Sequence, residues 1–282
     1  MERFEIWVNR LLMRIAPAWY ASQVIRSMPM PDFGTLNPAD IRSEEWLSLT
    51  SQISHASEYL SQLPGGWQVL AGDLKKLVSG KVLQRHVSIN RLNGIQGLKG
   101  KALDFPSLRD WAMAQNDLGE PQSADEFDQA VFEFNASEHT PLPLRYREWD
   151  GRMYTSAADS LEEIGKLYRY ALTHQCDISV RATLTLETVN AKKLEHLRSH
   201  YWWFIMHQRS ALQIASLLND CGYPAAAVSN LPGRPDMAYL FASKASRPLN
   251  RVILSLMTHN SSTSLMEFGR YLSRHRFSFR NS

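Results

Sequence analysis

Apolar positions recur at spacings of three and four in some stretches of the chain and alternate with polar ones in others. Phe4, Trp7, Val8, Leu11, Leu12 and Ile15 follow the helical spacing, with Arg3, Arg10 and Arg14 among them. Pro17 breaks that pattern, and Pro29, Pro31 and Pro38 make Met28 to Asn37 a linker or a long surface loop. Trp46, Leu49, Ile53, Ala56 and Leu60 mark a second helix. Ser43 stands at its start, and Glu44 and Glu45 fall in the first turn, where the helix dipole favours them. Pro64, Gly65 and Gly66 stop it, and a short helix from Trp67 to Val78 follows. Val82 to Ile89 alternates as a strand.

The most patterned passage runs from Leu142 to Asn190. Leu142 to Trp149 alternates, Asp150-Gly151 is a hairpin signal for a type I′ turn, and Arg152 to Thr155 resumes the extended pattern. Ser156 or Asp159 caps a helix with Leu161, Ile164, Leu167, Tyr168, Ala171 and Leu172 on one face. Ile178 to Leu186 alternates again. Ala191 to His207 reads as a helix, with His196, His200 and His207 on one side and Leu197, Tyr201, Phe204 and Ile205 on another. Ser210 caps a helix through Leu218, Met237 to Ala242 reads as a strand, and a final helix runs from Ser264 to about Arg274. The expected fold class is α+β, a small mixed sheet with a strand-helix-strand core surrounded by helices. The expected organisation is an amphipathic helical segment over 1–31 and a single α+β domain over 39–282.

Composition is that of an ordinary globular protein: 282 residues, 44% hydrophobic, 21% charged, with eight Trp. Cys176 and Cys221 fit no zinc spacing, which points to a reducing cytoplasm. No run of 18 apolar residues suggests a membrane span, and arginines interrupt the N-terminal apolar stretch, so no signal peptide is expected. The net charge of +3 hides an asymmetry. Asp104 to Glu138 holds nine acidic residues against Arg109, whereas Lys244 to Ser282 holds seven basic residues against Glu267.

Candidate chemistry is scattered. Gly94 to Lys101 is a glycine-rich loop in which Lys99 and Lys101 could contact phosphate. It is not a Walker A loop, because Ile95 and Ala102 replace the required Gly and Ser or Thr, and a hairpin or surface loop is the favoured reading. Arg270, Arg274, Arg276 and Arg280, interleaved with Phe268, Tyr271, Phe277 and Phe279, suit a nucleic-acid or partner surface and equally an ordinary amphipathic helix. Trp7 and Leu11 could lay the first helix on a membrane or a partner, although a helix packed on its own domain is favoured. His196 and His200 have the spacing of a zinc helix, but Leu197 stands where a zincin needs Glu, and a solvated polar stripe is favoured. Arg234, in the turn-rich loop Asn230 to Asp236, is a candidate anion contact. Nothing resembles a nucleophile elbow or a cofactor-binding pattern, so no cofactor is expected.

The Trp149-Asp-Gly-Arg-Met-Tyr154 stretch, the Ala157 to Gly165 segment and Asn190 together resemble the N-terminal domain of ParB-like proteins. More closely, they resemble a bacterial family of unknown function with a ParB-like core, here near 141–204. The resemblance implies a box of Asp-Gly-Ser-His-His type that opens a helix and contacts nucleotide phosphate. Ser160 matches the box serine, while Leu161 and Glu162 stand where the histidines belong. It further implies mobile-element or antiphage biology. The resulting expectation is a non-catalytic recognition protein on a degenerate ParB-like scaffold, with a protein partner, and with nucleic acid or peripheral membrane contact as further options. The alternative is a nucleotide- or nucleic-acid-binding protein or enzyme using Ser160, Arg152 and the lysine loop.

Overall fold

A computed structural model describes residues 2–31, 49–95, 108–114, 119, 121, 123–137, 141–155, 161–260 and 264–274. The chain starts with α1 (Glu2–Ile15), α2 (Pro17–Ser27), α3 (Leu49–Ser61) and α4 (Trp67–Lys75). There follow β1 (Val78–Ser88), β2 (Leu92–Ile95), α5 (Leu108–Ala114) and α6 (Ala124–Ala136). The central passage gives β3 (Leu142–Arg147), β4 (Arg152–Thr155), α7 (Leu161–His174) and β5 (Ser179–Val189). The remainder is α8 (Ala191–His200), β6 (Tyr201–His207), α9 (Gln208–Asp220), β7 (Ala225–Val228), β8 (Met237–Ser243), α10 (Arg247–His259), β9 (Leu265–Glu267) and α11 (Phe268–Arg274). The α+β class is as the patterns predict. Two sheets are present, however, where one was expected.

Contacts divide the chain into two compact units. The first holds the described residues up to Val78 and those from Asn190 to Arg274, including α1 and α2. The second holds the described residues of Ser79–Val189.

The first unit is built on a four-stranded sheet of order β7-β8-β6-β9, with antiparallel neighbours. Both faces are covered. On one, Phe204, Met206, Leu240 and Ala242 pack with Ile214 and Leu218 of α9, Leu249, Val252 and Ile253 of α10, and Ala21 and Ile25 of α2. On the other, Trp203 stands edge-on to Tyr239 and to Phe268 of α11, and Tyr239 donates its hydroxyl hydrogen to Gln52 of α3. Burial on two sides explains a misread element. The Tyr-Trp-Trp-Phe-Ile-Met run from Tyr201 has no alternation, so it extends the preceding helical pattern in sequence. In the structure α8 stops at His200 and the run becomes β6. The expected final helix is divided into β9 and α11. The expected helix from Trp67 likewise ends at Lys75, because Val78 already belongs to β1.

The second unit is built on a mixed five-stranded sheet of order β1-β5-β3-β4-β2. β3 pairs antiparallel with β4 and parallel with β5, and β2 pairs parallel with β4. Leu142, Leu144, Tyr146, Met153, Val180, Ala182 and Leu184 fill one face, beneath Trp111 of α5, Phe127 and Phe134 of α6, and Ile164 and Leu167 of α7. The helices therefore lie on one side of this sheet.

Phe204→Ala tests the first core. Its side chain is fully buried at the centre of the sheet. Urea titration is expected to show a loss of about 3–5 kcal/mol, and a loss below about 1 kcal/mol would contradict this packing.

Candidate functional site: the arginine face of the five-stranded sheet

Alternation along the strands decides what the face opposite α5–α7 carries, because directly opposed residues point to the same side. Arg145 pairs with Thr185 of β5 and Tyr154 of β4, and Arg147 pairs with Glu187 of β5 and Arg152 of β4. Pro143 and Thr183 form the next pair, and Arg181 lies two residues before Thr183 on the same face. Gln84 of β1 donates to Thr183 Oγ1 at 2.8 Å, so β1 continues the surface. Four arginines therefore share a face on which the strands place one carboxylate, Glu187.

The two ends of this face differ. At the β3–β4 turn the charges are locked inside. Arg147, Glu148, Asp150 and Glu187 are all buried. Arg147 Nε lies 3.6 Å from Glu187 Oε2, an ion pair beyond hydrogen-bond distance, and Arg145 Nη1 lies 3.4 Å from Glu187 Oε1. The Arg147 guanidinium also sits 4.5 Å above the Tyr154 ring. Glu148 Oε2 accepts from the Val189 N–H at 2.7 Å. Asp150 Oδ1 accepts from the Arg152 N–H at 2.9 Å, and its Oδ2 accepts from the Tyr154 hydroxyl at 3.0 Å.

At the other end Arg181, Gln84 and Pro143 are exposed, and the Arg145 side chain is 39% exposed. This end offers guanidinium and amide donors to an anion in water. A separate groove of about 490 Å³ between α6 and α7 has the opposite character, lined by Glu126, Glu133 and Glu163 with Lys166.

The turn is longer than a type I′ hairpin. Arg147 pairs with Arg152, leaving Glu148, Trp149, Asp150 and Gly151 to connect the strands. Gly151 has φ of 68°, and its N–H donates to the Arg147 carbonyl at 2.9 Å. The glycine was legible in sequence. The extra turn residues were not, because Trp149 continues the alternating pattern.

Burial pushes the Asp150 carboxyl up to about 6, against the opposing effects of the Arg152 N–H, the Arg147 charge and the Tyr154 hydrogen bond. Burial, reinforced by the Asp150 charge, also pushes the Tyr154 phenol well up.

The other sequence-predicted residues are dispersed. Arg152 lies on the arginine face, half-buried. Ser160, Lys99, Lys101, Arg276 and Arg280 fall outside the described residues. Gly94 and Ile95 belong to β2. Arg234 belongs to the first unit and grips Asp236 through two hydrogen bonds, at 3.1 and 3.0 Å. Arg270 and Arg274 are exposed on α11. Trp7 and Leu11 are exposed on α1.

His196 and His200 both lie on α8, with ring centroids 4.3 Å apart. His196 Nδ1 is 2.9 Å from Asp73 Oδ2, and His200 Nδ1 is 2.8 Å from the His196 carbonyl oxygen. Lys193 reaches the same Asp73 at 2.7 Å. Burial alone would raise the Asp73 carboxyl, but Lys193 and His196 outweigh it and hold that carboxyl below its ordinary value. His207 is not on this helix at all; it caps α9 by accepting from the Arg209 N–H. Among the described residues, no group of three or more His, Cys, Asp or Glu side chains could hold a metal ion.

Residues 83–281 match the model for a family of unknown function, DUF6685. The chain belongs to that family. No curated protein and no solved structure matches the chain. The DUF6685 match covers β2 to β5 entirely and most of β1, and so takes in the whole arginine face.

The raised Asp150 value makes a pH prediction. The native state binds this proton more readily than the unfolded chain, whose ordinary value is 3.8. Stability from the group is thus complete below 3.8 and is lost as pH rises toward about 6. The loss is about 3 kcal/mol. Asp150→Asn carries no charge at either end, so its urea stability should fall less than that of the parent between pH 4 and pH 7. Parallel profiles for the two proteins would refute the assignment.

Proposed function

We propose that this DUF6685 protein is a non-catalytic recognition protein, and that its open arginine face receives an acidic segment of a protein partner. The observation that carries this reading is the exposure of Arg145 and Arg181 on a face whose strand-borne carboxylate, Glu187, is buried. Exposed guanidinium groups on a rigid sheet suit carboxylates, which they bind in a planar, two-pronged geometry.

A catalytic reading draws less support. The buried Asp150 has the raised value expected of a general acid, but both its oxygens are engaged inside the turn. A nucleic-acid reading would be helped by exposed aromatic rings for base stacking. The aromatic residue that β3, β4 and β5 place on this face is Tyr154, which is buried beneath Arg147. The degenerate ParB-like scaffold inferred from the central passage agrees with recognition rather than phosphate chemistry. In that comparison Leu161 and Glu162 replace the box histidines.

Fluorescence anisotropy with a labelled glutamate-rich peptide and a labelled single-stranded oligonucleotide tests the proposal. The peptide should bind, and Arg145→Ala with Arg181→Ala should weaken it about tenfold, with loss of salt dependence. Nucleotides should leave the melting temperature unchanged. Peptide binding that ignores the double substitution, or tighter binding of the oligonucleotide at these arginines, would sink it.

A further inference from the structure

α1 and α2 present two contrasting faces. Met13, Ala18 and Tyr20 pack against the core of the first unit, and Ala21 and Ile25 lie inside it. That face accounts for how the helices are held. The outward face is nevertheless rich in large apolar side chains. Trp7 is 57% exposed, Leu11 38%, Ile15 71% and Trp19 55%. Trp7, Leu11 and Ile15 follow one another at four-residue spacing, so they form one line along α1. At 100° per residue, Arg10 and Arg14 fall beside that line, within about 60° of Trp7. Both arginines are exposed. From Ile6 to Pro31 the sequence contains Arg10, Arg14 and Arg26 and no acidic residue.

We propose that this face of α1–α2 docks on an anionic lipid bilayer surface. Indole rings favour the boundary between headgroups and acyl chains, where an apolar body and a polar N–H are both accommodated. Trp7, Leu11 and Ile15 form the exposed apolar line on α1, and Trp19 is a second exposed indole on α2. Arg10 and Arg14 flank the line at the height of lipid phosphates and complement an acidic leaflet. The helix lies along the surface: no helix among the described residues is long and apolar enough to cross a membrane. An acidic lipid surface matches this combination better than an apolar protein groove, which would leave the flanking arginines without counter-charge. This inference does not use the arginine face of the second unit.

Vesicle flotation tests it with the full chain. The protein should float with phosphatidylcholine vesicles containing phosphatidylglycerol and remain behind with phosphatidylcholine alone. Leu11→Ser, Ile15→Ser and Trp19→Ser together should lower partitioning roughly a hundredfold, with thermal unfolding unchanged. Ile15→Ser alone, at the most exposed position, should lower it measurably and covers the case in which the triple variant misfolds. Arg10→Gln with Arg14→Gln should weaken binding and flatten its dependence on salt. Native protein that does not float, or floats regardless of lipid charge, would overturn the proposal. So would a folded triple variant that floats like the parent. Light scattering that shows self-association abolished by the triple variant, without vesicle binding, would assign the face to a second copy instead.

Discussion

Parallel pairing of β3 with β5 constrains the whole second unit. Parallel neighbours cannot be joined by a tight turn, so the chain between them must cross over one face of the sheet. Here β4 and α7 make that excursion, and Ile164 and Leu167 of α7 pack onto the core side. The pairing is held at its end by carboxylates as well as by the backbone. The Glu148 N–H donates to the Glu187 carbonyl at 3.0 Å, and the Glu148 side chain accepts the Val189 N–H. The Glu187 side chain in turn meets Arg145 and Arg147. Glu148 answers a backbone donor that would otherwise lose water without replacement, and Glu187 balances the guanidinium charge beside it. Removing Glu187 would strand a buried guanidinium, so this cluster serves the registration of the two strands.

One-sided helix packing then determines what the unit can offer. A sheet with helices on one face leaves the other face to its own side chains. Alternation places Leu142, Leu144 and Tyr146 inside and Pro143, Arg145 and Arg147 outside. Burial of the turn consumes Arg147. The shallower end leaves Arg145 and Arg181 in water. The same strand thus supplies a buried arginine, Arg147, and a part-exposed one, Arg145, both meeting Glu187.

Legibility in the sequence followed the number of buried faces. α7 and most of β3 and β5 show a clear period, β4 follows the hairpin signal, and the patterns place all four. β6 buries both sides, loses its period and is taken for helix. β7 is Ala-Ala-Ala-Val, four buried residues without alternation, and offers no signal either. Site residues were less legible than elements. Arg152 is in place on the arginine face, but Arg145 and Arg181 come to one face only through the β3–β5 pairing, which a single sequence does not display. The zinc-like spacing of His196 and His200 was visible. Asp73, far upstream on α4, was not, and it joins α4 to α8 by an ion pair with Lys193 and a close contact with His196 Nδ1.

Perturbed ionisation is often read as a sign of catalysis, and Asp150 shows why position must be weighed with it. Its carboxyl is raised because the turn buries it, and the turn buries it because Trp149 and Tyr154 on either side are themselves core residues. Both carboxylate oxygens are used to fix the conformation that Gly151 permits. The energetic cost of holding that charge is met by hydrogen bonds that define the hairpin, with no oxygen reserved for a substrate. The groups left over by this arrangement are the arginines at the open end of the sheet. Their charge is already complete without a proton transfer, which makes them suited to holding a partner rather than transforming one.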